Sequence, residues 1–357
     1  MTISEQFKLN DLAVIATLVS APEDLPGKGE LPIRKFKIRR ILKGEAFIEE
    51  GESFSAVLKG DHQKGAEFLV WGAGPPEILW SEPIPSHARL EEYLDDIQDL
   101  PEKGRLAFFQ DFFEDPLKVL ASDAYDEFAV ASYEDLRAIK NQMPRERLMS
   151  LIVDPNIEEN RCRLYLTMLG ICGKPEDIAT LERLLTSTDP KECRALDALV
   201  ACYLCLKGSA GLPLIEKQFL AQVDADYSKV QQVVAALRFH GTEVDMVGRK
   251  HLIETVRKLL DRPRLADSVI PDLARWEDWS VMDQLVEMFK KSTKETIWVR
   301  VPIFKYLNAC PLPSAKERIE ELKQIDSGAY DQAMFLSRIK LSAEEGSESE
   351  SSSPEPK

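Results

Sequence analysis

The stretch LTMLGICGKPEDIATLERLLTSTDPKECRALDALVACYLCLKG, residues 166–208, decides the fold of most of the chain. Its apolar residues recur at intervals of three and four, which is the spacing of one buried helix face. Glycine turns at Gly173 and Gly208 end two helical segments and lie 35 residues apart. The stretch therefore predicts two helices joined by a short turn, followed by the first helix of the next pair.

The same turn recurs along the chain at a nearly constant spacing. The turn markers lie 33 to 36 residues apart, and they are Gly173, Gly208, Gly241, Glu277 and Pro311. A basic residue precedes each marker by 11 to 14 positions, and these residues are Arg161, Arg194, Lys229, Arg264 and Arg300. A period in the thirties with a helix on each side of a short turn indicates stacked helix pairs, each burying its apolar face on its neighbours.

Two segments of this array resemble HEAT repeats. In DPKECRALDALVACYLCLKG, Asp189 and Arg194 stand where that family carries its Asp and Arg. In LTMLGICGKPEDIATLERLL, a Leu-Gly pair closes one helix and Pro-Glu-Asp opens the next, and Pro302 resembles the kink proline of many HEAT first helices. The resemblance covers roughly residues 117–325 and implies an α-solenoid, with no particular activity.

A narrower resemblance rests on three short motifs. WSEPIP near Trp80, SDAYDEFA near Asp123 and IPDLARWEDWS near Trp276 resemble uncharacterised bacterial HEAT-repeat proteins with a strand-rich N-terminal domain. Members of that group tend to begin with an export signal and a cysteine pair, and this chain begins at Met1 with neither.

The first 85 residues alternate apolar and polar side chains with a period of two, which predicts strands. The predicted strands cover residues 11–20, 33–44, 52–60 and 66–72. The segment 60–65, with a glycine at each end, has the length and composition of a hairpin loop. Short strands with no crossover helix predict a small antiparallel β-barrel of the OB-like kind.

The second predicted strand has an apolar and a basic face. Phe36, Ile38 and Ile41 are predicted to face the core, and the alternation breaks near Arg40 as at a β-bulge. The basic residues of this strand are Arg34, Lys35, Lys37, Arg39, Arg40 and Lys43. They predict either a face for an oligonucleotide or an acidic partner, or a solvated face that docks against acidic helices.

The early strands also resemble the barrel of the netrin and tissue-metalloproteinase-inhibitor module. Inhibitors of that family coordinate the protease metal through an N-terminal cysteine. Because no cysteine precedes Cys162 in this chain, the resemblance implies the barrel shape and not the inhibitory residue. The predicted fold class is α+β with several domains: a β-barrel over residues 1–85, a HEAT-like solenoid over 86–340, and a disordered acidic Ser/Glu tail over 341–357.

Charge and hydropathy exclude several classes of function. The 357 residues contain 46 Lys and Arg against 61 Asp and Glu, a net charge of −15, which argues against a general nucleic-acid or anionic-membrane binder. No apolar run approaching 18 residues is evident, so no membrane insertion is predicted. The first 20 residues carry Glu5 and Asp11 and do not form a signal peptide. The chain as written is predicted to be cytoplasmic, and exported if its true start lies upstream.

The cysteines and histidines point to packing rather than chemistry. Cys202 and Cys205 form a C-x-x-C inside an apolar helix, without the second pair or the histidine that a zinc site needs. The histidines are His62, His87, His240 and His251, and none forms a metal motif with another. His240, beside a turn glycine, is expected to cap a helix. No cofactor or metal is predicted.

Two carboxylates and one aromatic turn are candidate sites. Asp123 and Glu127 are four residues apart, which suits a cation site, an acid–base pair, or simply the solvated face of a helix pair. The turn RWEDWS contains the residue types of binding hot spots, and the predicted protein-binding residues are Arg275, Trp276, Asp278 and Trp279. The alternative is that both tryptophans clamp the helices of their own repeat.

The expected function is a non-catalytic scaffold that meets a protein partner over an extended, acidic solenoid surface. The motifs for phosphate binding or for a serine nucleophile are absent from the sequence. Two alternatives remain: an exported protease-inhibitor-like or sensor protein that acts through the barrel, and an enzyme that uses Asp123, Glu127 and a metal.

Overall fold

A computed structural model describes residues 1–19, 32–101, 104–221 and 226–336 of the protein. Within these residues a nearly closed antiparallel β-barrel is followed by a long series of helices, so the predicted α+β layout is confirmed. The chain divides into two compact units, a first unit Met1–Met143 and a second unit that begins at Pro144. The predicted change from strands to helices at residue 85 lies inside the first unit, and the predicted tail lies outside the described residues.

Six strands form one antiparallel sheet in the first unit. They are β1 Leu12–Leu18, β2 Ile33–Lys43, β3 Ser53–Val57, β4 Glu67–Ala73, β5 Leu79–Trp80 and β6 Ile84–Pro85. Their order is β3-β2-β1-β4-β5, with β6 also paired to β4. The predicted hairpin at residues 60–65 is wrong, because β2 and β1 lie between the two strands that this loop joins.

Aromatic side chains bring the two outer strands of the barrel together. Phe54 of β3 stacks on Trp80 of β5 with ring centroids 4.0 Å apart. On its other side Phe54 stacks on Phe36 of β2 at 5.5 Å, and Phe36 meets the edge of Phe68 of β4 at 5.6 Å. These rings lie in a core with the alternate apolar residues of β1, so the barrel interior is filled by side chains.

Strand β2 contains the predicted bulge but not the predicted distribution of charge. Ile15 pairs with Arg40 and Ala16 with Ile38, which leaves Arg39 as an extra residue on β2. The predicted break near Arg40 is therefore confirmed. Arg34 was predicted on the solvated face and is buried, because residues two apart on a strand share a face and Arg34 shares that of Phe36.

The outer face of the barrel is also covered. Both faces of β1 and most of β4 are buried, including Ile15 and Leu69. Helix α1, Ile3–Leu9, contributes to this cover through Phe7, whose ring meets the Trp71 ring edge-on at 4.9 Å. A capping box between Thr2 and Glu5 starts this helix, which the strand-like pattern of the first 85 residues did not predict.

The described part of the first unit has four further α-helices: α2 Ala88–Gln98, α3 Leu106–Phe109, α4 Lys118–Ala129 and α5 Tyr133–Ala138. Acidic residues of α2 face the basic strand. Arg39 pairs with Glu91, and Arg40 pairs with Asp95 at 2.6 Å. Arg39 and Arg40 therefore dock against an acidic helix, as one of the two alternatives predicts, while Lys35 and Lys37 of the same strand are exposed.

The second unit consists of helices that pack in chain order. They are α6 Arg145–Val153, α7 Glu159–Cys172, α8 Ile178–Thr186, α9 Leu196–Lys207, α10 Leu212–Ile215, α11 Tyr227–Thr242, α12 Arg249–Arg257, α13 Pro263–Arg275, α14 Met282–Lys291, α15 Arg300–Ala309 and α16 Pro313–Lys323. Helix α7 packs against α9, α9 against α11, α11 against α13, and α13 against α15. The five turn markers lie at the C-terminal ends of these same helices, as the sequence period predicts.

Within the described residues, one helical stretch, Leu196–Leu220, is long and apolar enough by length and composition to cross a membrane, with a mean hydropathy of 1.6 over its 18-residue window. The sequence analysis predicted no such stretch. Half of the apolar window is buried inside the protein, and α9 packs against α7, α8 and α11. These contacts are those of a core helix, and they account for its apolar composition.

Candidate functional site

Trp276 packs inside the second unit. It forms the C-cap of α13 and is only 4% exposed. Its indole lies on the backbone of Gly241 at the end of α11, where a Cβ atom would be 2.5 Å from three ring atoms. The alternative prediction is that the tryptophans clamp the two helices of their own repeat. Trp276 does clamp neighbouring helices, but it joins α13 to α11, which belongs to the preceding helix pair.

Asp278 and Trp279 hold the turn that follows α13. Asp278 is buried and accepts a hydrogen bond from Arg257 Nε at 2.7 Å and another from Ser280 Oγ at 2.8 Å. Burial opposes ionisation of this carboxyl, but these hydrogen bonds outweigh it and lower its pKa. Trp279 is half-buried with its ring edge-on to Tyr306 at 5.1 Å, and the Tyr306 hydroxyl donates to the Asp278 carbonyl at 2.6 Å.

Arg275 lies on the surface and shares a carboxylate with a second arginine. Asp272 is 1% exposed and accepts from Arg238 Nε at 2.7 Å and Arg238 Nη2 at 2.8 Å. Arg275 Nη1 donates to the same Asp272 carboxylate. The side chains of Arg238 and Arg275 are 40% and 42% exposed. We call these two residues the arginine pair. Two partly exposed guanidinium groups, one from α11 and one from α13, thus share one buried carboxylate.

Arg238 and Asp272 are not among the residues predicted from the sequence, although the sequence contains a signal for them. They are 34 residues apart, which is the period of the turns. Arg163 of α7 and Asp197 of α9 form an ion pair of 3.0 Å at the same separation. An Arg followed by an Asp one period later is therefore the pattern that locates these contacts. These ion pairs connect α7 with α9 and α11 with α13, which are the first helices of neighbouring helix pairs.

Asp123 and Glu127 are buried, so the prediction of a solvated helix face is wrong for both. The Asp123 carboxylate accepts from the Ile3 backbone N–H at 2.6 Å and from the Tyr93 hydroxyl at 2.5 Å. Glu127 pairs with Arg105 at 3.3 Å. This network connects α1, α2 and α4. Among the residues that the structure describes, no group of three or more His, Cys, Asp and Glu side chains is arranged to hold a metal ion.

The pKa of Asp123 is raised to about 6. Burial is the largest cause, the hydrogen bonds from Tyr93 and Ile3 oppose it, and the charges of Glu127 and Asp126 add to it. Because the pKa is higher in the folded than in the unfolded chain, the folded state binds the proton more tightly. Stability then rises as the pH falls through 6 toward the unfolded value.

Lowering the pH from about 7 to about 4 is therefore expected to increase the contribution of Asp123 to the free energy of unfolding by about 2 kcal/mol. The measurement is the free energy of unfolding of the wild type and of Asp123→Asn across this range. The asparagine keeps the side-chain shape and cannot titrate, so the difference between the two proteins isolates Asp123. A difference that stays constant with pH would contradict the assignment. The subtraction also removes His240, whose lowered pKa acts in the opposite direction.

The other candidate reactive groups serve packing. Cys202 and Cys205 are buried on α9, and burial raises the pKa of the Cys202 thiol well above its usual value. His240 lies inside α11 rather than at a cap, with Nε2 at 3.0 Å from the Ala201 carbonyl oxygen. Burial lowers its pKa. His87, by contrast, is the N-cap of α2 and accepts from the Arg89 backbone N–H.

The chain was compared with family models, curated proteins and solved structures. No family model, no curated protein and no solved structure matches it.

Proposed function

We propose that the protein is a non-catalytic binding protein, whose second unit forms a HEAT-like solenoid and binds an acidic segment of a protein partner at the arginine pair. The observation that carries the proposal is that Arg238 and Arg275, both about two-fifths exposed, share the single buried carboxylate of Asp272. One positive charge at this point is left without a carboxylate among the described residues. An aspartate or glutamate of a partner would supply it.

The packing of the helices supports the solenoid. The first helices of successive pairs pack in chain order from α7 to α15. Ion pairs one period apart, Arg163 with Asp197 and Arg238 with Asp272, fix neighbouring helices to each other. A stacked array of this kind offers a surface that is already ordered, so a partner does not lose affinity to the ordering of a loop.

The charge of the predicted solenoid is not uniform along the sequence. An acidic surface is predicted for residues 86–340, and these residues contain 35 Lys and Arg against 43 Asp and Glu. The acidic excess lies before Pro144, because residues 144–340 contain 29 Lys and Arg and 29 Asp and Glu. Recognition then depends on local charge rather than on a general acidic field, and the arginine pair is such a local charge.

The chemistry of the pair favours a carboxylate partner. Arginine is enriched in binding hot spots, and its planar guanidinium recognises carboxylates through charge-assisted hydrogen bonds. Asp272 already orients both guanidinium groups, which reduces the entropy lost on binding. Trp279, four residues after Arg275 in the sequence, is half-buried and leaves part of an aromatic ring exposed in the same turn segment.

Replacing Arg275 by glutamine tests the proposal. Arg238 continues to satisfy Asp272 with two hydrogen bonds, so we expect the fold to be retained while the surplus charge is lost. The measurement is capture of partner proteins by the full chain from native extract, followed by the dissociation constant of the captured partner. We expect at least about a tenfold weaker complex, and for the wild type a complex that weakens with added salt.

Lys294→Gln is the matched control. Lys294 is exposed in the loop before α15. Its replacement by glutamine removes one positive charge from the second unit, as Arg275→Gln does, but at a different place. Equal binding by wild type and Arg275→Gln would overturn the proposed site. Equal weakening in both variants would show that net charge, and not the arginine pair, is responsible.

A further inference from the structure

The first unit contains a pocket of about 340 Å³ between α1, the end of β2 and the end of α2. This volume lies at the small end of the range that ligand pockets occupy. Ser4, Phe7 and Lys8 line it from α1, and Leu42 and Lys43 line it from β2. The pocket is separate from the arginine pair, which belongs to the second unit.

Positive charge is concentrated in this pocket. Its charged lining residues are Lys8, Lys43 and Arg105, and its described lining includes no aspartate or glutamate. Residues 1–143 as a whole contain only 16 Lys and Arg against 27 Asp and Glu. Three cations around one concavity in an acidic part of the chain favour an anionic ligand.

Two of the three cations are held in place by the protein. The Lys43 ammonium donates to the backbone carbonyls of Phe7 and Asn10, both at 2.6 Å, which uses two of its three N–H groups and no carboxylate. Arg105 Nη2 donates to Ser4 Oγ at 2.5 Å and to Glu127 at 3.3 Å. The buried Nε–H of Arg105 has no hydrogen-bond partner within the described ranges.

Apart from Ser4 and Gln98, the other lining residues of the pocket are apolar. Phe7 and Leu42 lie beside the lysines, and Ile97 and Leu100 line the pocket at the end of α2. A bare inorganic anion would leave these walls in contact with water. A neutral apolar molecule would take water away from the cations without replacing its hydrogen bonds. A ligand that satisfies both parts has an anionic head and a short hydrocarbon body.

We infer that this pocket binds a small amphipathic carboxylate, with its head between Lys8, Lys43 and Arg105 and its hydrocarbon against the apolar walls. Lys43 and Arg105 already contact α1, through Phe7, Asn10 and Ser4. A carboxylate that bridges these cations therefore strengthens the attachment of α1 to the barrel and stabilises the first unit by an amount that grows with the logarithm of its concentration above the dissociation constant.

Octanoate is a suitable probe, because it joins one carboxylate to a short chain. We expect saturable binding of octanoate to the full-length protein by isothermal titration, with chemical-shift changes at Leu42, Ile97 and Leu100 methyl groups. Octanol, which lacks the charge, and inorganic phosphate, which lacks the hydrocarbon, are each expected to bind at least about tenfold more weakly. Octanol that binds as tightly as octanoate would overturn the role of the cations.

Lys8→Gln is the test variant, because Lys8 is exposed on α1 and its replacement leaves the contacts of Lys43 and Arg105 in place. We expect about a fivefold to tenfold weaker affinity for octanoate. Lys64→Gln removes the same charge from an exposed loop of the first unit and is expected to have no effect. Leu100→Trp, which fills the pocket without changing charge, is expected to abolish binding. Binding that survives Leu100→Trp, or that is equal in both lysine variants, would refute the assignment.

Discussion

Replacing Trp276 by alanine is expected to lower the free energy of unfolding of the second unit by about 3–5 kcal/mol, the usual cost of truncating a buried tryptophan. The indole is 4% exposed and occupies the space that a side chain at Gly241 would fill. Its loss leaves a cavity between the ends of α11 and α13, and the rigid helices around it close that cavity only in part. The measurement is chemical unfolding followed by the circular dichroism of the helices.

Two variants separate packing from binding at this turn. Trp279→Ala removes a half-buried ring and is expected to cost less, about 1–2 kcal/mol. Gly241→Ala places a methyl group 2.5 Å from the Trp276 ring and is expected to disturb the same contact from the opposite side. A Trp276→Ala protein with the wild-type free energy of unfolding that no longer binds its partner would contradict the packing role. It would support instead the prediction that Trp276 is a binding residue.

The helical spacing was predictable because it depends on local chemistry repeated at one period. Gly173 and Gly208 are C-caps of α7 and α9, Glu277 follows α13 with a positive φ of 59°, and Pro311 follows the C-cap of α15. Each turn is determined by a few neighbouring residues, so the positions of the helix ends can be predicted from one sequence. The strands were located for the same reason, since a period of two is also a local signal.

The arrangement of the strands was not predictable in the same way. The loop 60–65 has hairpin chemistry, but it joins β3 to β4 across two intervening strands. Which strands pair depends on contacts between distant residues, such as Phe54 with Trp80, and turn composition does not record them. Helix α1 was missed because a single buried isoleucine, Ile3, gives too short an apolar pattern for a helical period to be recognised.

The candidate sites also combine features that local sequence predicts with features that depend on contacts between distant residues. The motif that contains Arg275 was visible from residue types alone, but its partners Arg238 and Asp272 become visible only when ion pairs are sought one period apart. The spacing of Asp123 and Glu127 within an acidic stretch suits a cation site, an acid–base pair or a solvated helix face, and the solvated face is wrong for Asp123. It is buried because α1 and Tyr93 of α2 pack over it, and both lie far away in the sequence.

Replacing Phe36 by alanine is expected to lower the free energy of unfolding of the first unit by about 3–5 kcal/mol. Phe36 is fully buried and contacts both Phe54 and Phe68. Strands β3 and β5 are the outer members of the strand order, and Phe54 and Trp80 join them through side chains. Because Phe36 supports Phe54 from the other side, its loss weakens this aromatic closure as well as the core.

Amide hydrogen exchange tests this role of Phe36 strand by strand. In Phe36→Ala we expect protection to fall first in β3, which pairs only with β2 in the strand order, and to persist longer in β1, which pairs with both β2 and β4. Trp80→Ala removes the other side of the Phe54 stack at a half-buried position and is expected to cost about 1–3 kcal/mol, with the same early loss in β3. Uniform loss of protection in all strands would contradict closure by aromatic packing. It would show instead that the barrel opens as one cooperative unit, with β3 held as firmly as the central strands.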